Sequence, residues 1–367
     1  MADPRMVKLA ELLVHYSVEI QTGDWVMVRG DLIAEPLVAE VVRQVVRAGG
    51  RPTILLNSDA IEEAFLREAS PEILEWVSPV NQMLYKQADV LMSLRAASNT
   101  RTLTGIDPQK ERVRAVANRG LTETYMRRSA AKELRWVGTQ FPCPAYAQEA
   151  DMSLNEYENF VYAATFCDRD DPVAEWQNVH TEQQKIVDWL DGKKTVTVKS
   201  PNANLTLSIE GRTFINSDGK KNMPSGEVFT GPVEDSANGW VAFNYPAIRG
   251  GREVEGVRLE FKDGKVVQAS AKKNEAYLLA QLDSDEGARF LGEFAIGTNY
   301  GITHFTKSIL FDEKIGGSFH MAIGAGYPET GSVNKSSIHW DFICGIQTDS
   351  EIRVDGEMLY KDGKFQI

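Results

Sequence analysis

The sequence predicts two domains. One is an α/β N-terminal domain with a parallel sheet and flanking helices over residues 1–192; the other is an α+β C-terminal domain over residues 193–367. Three observations predict them. Apolar strand-like runs alternate with helical patterns through the first half, as crossover-connected parallel strands require. Asp191-Gly192-Lys193-Lys194 then interrupts the pattern, and short alternating segments follow. Lys262-Asp263-Gly264-Lys265 and Lys361-Asp362-Gly363-Lys364 carry the Asp-Gly signature of two-residue hairpin turns, which join antiparallel strands.

Residues 7–16 set Leu9, Leu12, Leu13 and Tyr16 at helical spacing. Gly23-Asp24 ends that pattern, and 25–29 (WVMVR) reads as a strand. A helix over 36–48 opens on Pro36 and is stopped by Gly49-Gly50. Strand 53–56 (TILL), helices 60–68 and 71–87, and strand 90–94 (VLMSL) continue the alternation. Residues 108–131 predict a helix rich in arginine (Arg112, Arg114, Arg119, Arg127, Arg128), read as a solvated, salt-bridged face. Strand 134–137 and helices 153–166 and 172–190 complete the first domain. Neither Gly30-Asp31 nor Gly49-Gly50 has the spacing of a dinucleotide or phosphate-binding loop. Beyond the boundary, strands are expected at 195–198, 205–209, 240–243, 257–261 and 266–271.

Composition narrows the function classes. With 43% hydrophobic and 25% charged residues the chain is globular, and its net charge of −12 opposes the phosphate neutralisation that nucleic-acid binding needs. The N-terminus (MADPRMVKLAELL) has no apolar signal core and no run reaches membrane-spanning length, so a cytoplasmic protein without a membrane partner is expected. Three distant cysteines, Cys143, Cys167 and Cys344, give neither a disulfide framework nor a Cys-x-x-Cys metal site; they read as structural, Cys143 between its two prolines included.

The candidate chemistry gathers in residues 311–343, which hold two of the five histidines, His320 and His339. His339-Trp340-Asp341 puts an imidazole and a carboxylate on one face of a strand, donors suited to zinc, cobalt, manganese or iron. Glycines 316, 317, 324 and 326 surround them and allow close backbone approach. Two Gly-Glu motifs, NMPSGEVFTGP around Glu227 and LGEFAIGTN around Glu293, add carboxylates among small residues. With Glu313 they make a carboxylate-rich, two-histidine set of the kind a pair of divalent ions needs. His304 reads as a supporting or structural histidine, and His15 and His180 as ordinary helix-face residues.

NMPSGEVFTGP, LGEFAIGTN, LFDEKIGGSFHMAIGAGYP and HWDF, in that order, resemble the M29 family of metallo-aminopeptidases, the aminopeptidase T group, and the likeness extends over the whole length. It implies a two-metal exopeptidase. Glu227, Glu293, His320, His339 and Asp341 would be the metal ligands, Glu313 the catalytic carboxylate and Tyr327 the catalytic tyrosine. It also implies two divalent ions (zinc or cobalt foremost, magnesium or manganese as alternatives), peptide substrates with a free N-terminus, and a homodimer. The related ring-cleaving dioxygenases, with one non-haem iron on two histidines and a carboxylate, are the alternative reading.

Overall fold

A computed structural model describes residues 3–367 of the chain. There are two compact units: the first runs to Val173 and takes back Gly219–Pro224, and the second holds Ala174–Asp218 and Ser225–Ile367. The division expected at 192/193 therefore differs from the one observed. Helix Pro172–Leu190 falls almost wholly in the second unit, because Ile186 and Leu190 are buried in that unit's core.

In the first unit, β1 (Trp25–Asp31), β2 (Arg51–Asn57), β3 (Val90–Arg95) and β4 (Arg135–Gln140) form a sheet with the short strand Asn222–Met223. The order is β2-β1-β3-β4 followed by Asn222–Met223, and every pairing is parallel. Val26, Met27, Val28, Val90 and Met92 are fully buried, as central strands covered on both faces must be. The helix expected over 71–87 divides into Pro71–Glu75 and Pro79–Gln87, since Pro79 cannot continue a helix begun before it. The helix expected over 108–131 divides at Asn118 into Pro108–Ala117 and Arg119–Ala130.

The arginine-rich face is only partly solvated. Arg114 donates to the carbonyls of Leu74 and Trp76, and buried Arg128 donates to those of Tyr85, Ala88 and Glu133. Long aliphatic stems let these guanidinium groups satisfy carbonyls at helix and loop ends, a use no charge pattern reveals.

The second unit carries an eight-stranded antiparallel sheet. Both Asp-Gly turns lie on it, closing Arg258–Lys262 onto Lys265–Ser270 and Glu357–Lys361 onto Lys364–Phe365. Asp263, Gly264, Asp362 and Gly363 all have positive φ, as mirror-image turns demand. A second antiparallel sheet runs β9-β8-β7-β6-β5, made of β5 (Ile215–Ser217), β6 (Glu227–Thr230), β7 (Leu291–Gly297), β8 (Ser318–Gly324) and β9 (His339–Gly345). Val228, Phe294, Phe319, Met321, Trp340 and Phe342 bury one face of it in the unit's core. Each such side chain contributes about 1.5–3 kcal/mol, so the sheet is a stiff platform.

All three cysteines are buried, and burial pushes the Cys167 and Cys344 thiols up to about 12, so both remain unreactive thiols. Among the described residues no helix is long and apolar enough to cross a membrane.

Candidate metal centre

Strand register decides which side chains meet. Glu293 on β7 pairs with Ala322 on β8, which pairs with Asp341 on β9. Ala295 pairs with His320, Gly324 with His339, and Gly297 with Glu227 on β6. Side chains alternate along a strand, so Glu227, Glu293, His320, His339 and Asp341 all rise from the face opposite the core. Ala295, Gly297, Ala322 and Gly324 lie among them, too small to fill the space above the sheet.

The glycine before each glutamate is a steric requirement. Gly226 has φ +113°, and a Cβ there would stand 2.7 Å from the Asn299 side chain. Gly292 lies at the register shift between Leu291 and Glu293, where a Cβ would meet the Ala325 carbonyl oxygen at 2.2 Å. The bulge re-aims Glu293 towards its neighbours.

Glu293 is the centre of the cluster. Its Oε1 lies 3.5 Å from His320 Nε2, and its Oε2 lies 3.3 Å from His339 Nε2. His320 Nε2 is also 3.4 Å from Glu227 Oε2, and His339 Nε2 is 3.3 Å from Asp341 Oδ1. His339 Nδ1 lies 2.7 Å from the Ala325 carbonyl, which assigns a proton to Nδ1 and leaves Nε2 as the nitrogen that faces the donor cluster. Three overlapping groups bring one donor atom from each residue within 4.8 Å of the others: Glu227-Glu293-His320, Glu293-His339-Asp341 and Glu313-His320-Asp341.

Glu313 follows the short helix Ile309–Asp312. Its neighbour Lys314 is wholly buried, bonded to the Glu313 carboxylate and 3.7 Å from Glu227 Oε1. Asp312 is buried too, its carboxylate accepting from the Thr306 N–H (2.7 Å) and hydroxyl (2.9 Å). The sequence gives little sign of Lys314 or Asp312, because Asp-Glu-Lys is ordinary surface-turn composition. The ring of Tyr327 packs edge-on against His339 (5.3 Å) and Phe229 (5.6 Å). Among the remaining histidines, His15 and His304 are exposed, and His180 pairs with Asp218 at 2.8 Å. None of the three belongs to a cluster of donors among the described residues.

Burial and mutual charge set the proton affinities. Burial disfavours ionised Glu293, but His320 and His339 outweigh it and hold the carboxyl down at about 2. Burial likewise opposes charge on the two imidazoles, yet Glu293, Glu227 and Asp341 raise His320 to about 9 and His339 to about 12. Burial pushes Glu313 up to about 7; Lys314 pulls it down, while Glu227 and Asp341 push it further up. That places Glu313 where a group exchanging protons near neutrality works best. Burial, then the surrounding carboxylates, hold the Tyr327 phenol above its ordinary value although 39% of its surface is exposed, so it keeps its proton.

The donor set fits divalent cations. Glu227 Oε2 and Asp341 Oδ1 are buried without a hydrogen-bond partner, and both belong to clusters whose donor atoms converge within 4.8 Å. Buried polar atoms that point at a common centre rather than at partners are expected of ligands. Mixed nitrogen and oxygen donors suit zinc, cobalt or manganese.

The model of the thermophilic metalloprotease (M29) family matches residues 2–365. Aminopeptidase 2 of Geobacillus stearothermophilus is 30% identical over 99% of this chain and 95% of its own length. Wild-type AmpT from Thermus thermophilus has the same fold: TM-score 0.86 at 23% identity, covering 99% of both chains. A 2,5-dihydroxypyridine dioxygenase from Pseudomonas putida KT2440 is more distant, with TM-score 0.54 and 13% identity over 99% of this chain and 96% of that one. The chain belongs to the M29 metalloprotease family.

Proposed function

We propose that this M29 family member is a metal-dependent aminopeptidase that removes N-terminal residues from peptides at a dinuclear divalent-metal site. The observation that carries the dinuclear reading is Glu293: its two oxygens face two different histidines, and it belongs to two donor clusters at once. A carboxylate so placed is what a ligand bridging two ions requires. Glu227, Glu293 and His320 would hold one ion; Glu293, His339 and Asp341 would hold the other. Zinc or cobalt suits these donors best, with magnesium or manganese as alternatives.

Two such ions, when bound, supply an acidified water and a Lewis acid for the scissile carbonyl. The chain's own residues do the rest. Glu313, beside His320 and Asp341 in one donor cluster, takes the proton of the attacking water and passes it to the leaving amine. Protonated Tyr327 donates a hydrogen bond to the oxygen that gains charge in the transition state. That the substrate carries a free N-terminus follows from the family resemblance. We extend the proposal to a homodimer, following the family resemblance, and to a cytoplasmic location.

The dioxygenase reading is weaker. Its fold likeness is low, and a mononuclear iron site needs two histidines and one carboxylate, whereas four carboxylates gather here. Metal analysis with aminoacyl-p-nitroanilide hydrolysis, before and after chelation, tests the choice. Near two ions per chain is expected, with activity lost on chelation and restored by zinc or cobalt. Near one ion, oxygen-dependent ring cleavage and no peptide hydrolysis would overturn it.

A further inference from the structure

A cavity of about 160 Å³ adjoins β9. Asp341, a member of two donor clusters, is part of its wall, and Ile343, two residues on and facing the same side of the strand, is another part. Ala247, Ile248, Phe305 and Ile309 complete an apolar lining. Phe305 is held by stacking on Tyr245, ring centroids 5.1 Å apart at 22°. Of the three charged groups in the lining, Asp341 is given to the metal ions in the reading above, and the other two have partners within the chain. Lys307 Nζ is 3.9 Å from Glu253, and Asp312 accepts two hydrogen bonds from Thr306.

From this geometry we propose that the cavity receives the side chain of the substrate's N-terminal residue and selects a medium-sized apolar one such as leucine, isoleucine or methionine. The proposal rests on the aminopeptidase reading and deepens it. Asp341 links the two places: a substrate whose amino group lies at the donor cluster has its first side chain within reach of Ile343. The volume suits the assignment, since an apolar cavity of about 150 Å³ holds a benzene-sized group. The lining offers no unengaged charge to an acidic or basic side chain, and burying one there without a partner is costly.

The test uses the metal-loaded protein. Leucyl and methionyl p-nitroanilides should show kcat/KM at least about tenfold above the alanyl, glycyl and glutamyl substrates. Ile309→Trp, at the exposed rim, should lower leucyl kcat/KM about tenfold or more while changing alanyl kcat/KM less than about twofold. Ile343→Ala should raise the phenylalanyl-to-leucyl ratio. A readout without turnover is calorimetric binding of L-leucine against L-alanine, where leucine should bind at least about tenfold tighter, an advantage lost in Ile309→Trp. Equal losses on all substrates, or leucine binding no tighter than alanine, overturn the pocket. Tighter leucine binding without hydrolysis of any aminoacyl substrate upholds the pocket and sinks the aminopeptidase reading instead.

Discussion

Replacing Lys314 with methionine keeps the aliphatic stem and removes the charge. The ammonium has no exposed surface, contacts the Glu313 carboxylate and lies 3.7 Å from Glu227 Oε1. Attraction at about 4 Å in an effective dielectric near 20 is about 4 kcal/mol. Desolvating the ammonium offsets much of that, but removing one partner of a buried pair strands the other and costs about 3–5 kcal/mol. A domain's whole stability is about 5–15 kcal/mol, and in domains of about 150–250 residues each kcal/mol is worth roughly 2–4 °C in Tm. The chelator-treated Lys314→Met protein should therefore melt roughly 6–20 °C below the chelator-treated parent by calorimetry at pH 7. Zinc should raise the variant's Tm more than the parent's, because a divalent cation neutralises the same carboxylates that Lys314 does. A drop under about 2 °C would refute the role given to this ammonium, and a large drop that zinc does not recover would make the loss one of packing.

The sequence exposes the parallel sheet because its helices and strands have different periods, and the Asp-Gly turns because only a few residues accept positive φ. It hides the sheet that carries the candidate metal centre. Every residue of β7 and β8 is buried, so neither strand shows the polar alternation that marks a half-exposed strand. What remains legible is chemistry in fixed order: Gly-Glu twice, then a histidine, then His-x-Asp. That order names five candidate donors but not their register, and register alone places Glu293 between His320 and His339. Lys314 and Asp312 fail the other way. Their composition is that of a surface turn, and burial shows only once the chain after Ile309 has folded under the sheet's polar face. Arg128 is the same lesson in the first unit, a charged residue that the pattern put in water and the fold put against three carbonyls.

Three further outcomes bear on the site. Tyr327→Phe should leave metal content and KM nearly unchanged while turnover falls about 10²–10³-fold, measured by metal analysis and steady-state kinetics; full turnover would make Tyr327 a packing residue. His339→Ala removes a ring whose Nε2 faces both Glu293 and Asp341, so metal content and activity should fall together; keeping both would move the centre elsewhere. The last concerns protons. His320 and His339 are raised to about 9 and about 12, so both imidazoles are protonated at pH 7 in the cation-free chain. Groups with raised pKa contribute stability that is complete below the unfolded value near 6.5 and is lost as pH climbs through the folded values. Glu293, lowered to about 2, has the opposite sign: its contribution is present above the unfolded value near 4.5 and is lost as pH falls towards 2. A metal needs both imidazoles neutral, so binding at pH 7 must release roughly two protons, and affinity must rise with pH through this range. Titration calorimetry of zinc into chelator-treated protein, in buffers of differing ionisation enthalpy, counts those protons. Binding that releases none would mean that the two histidines are not the ligands.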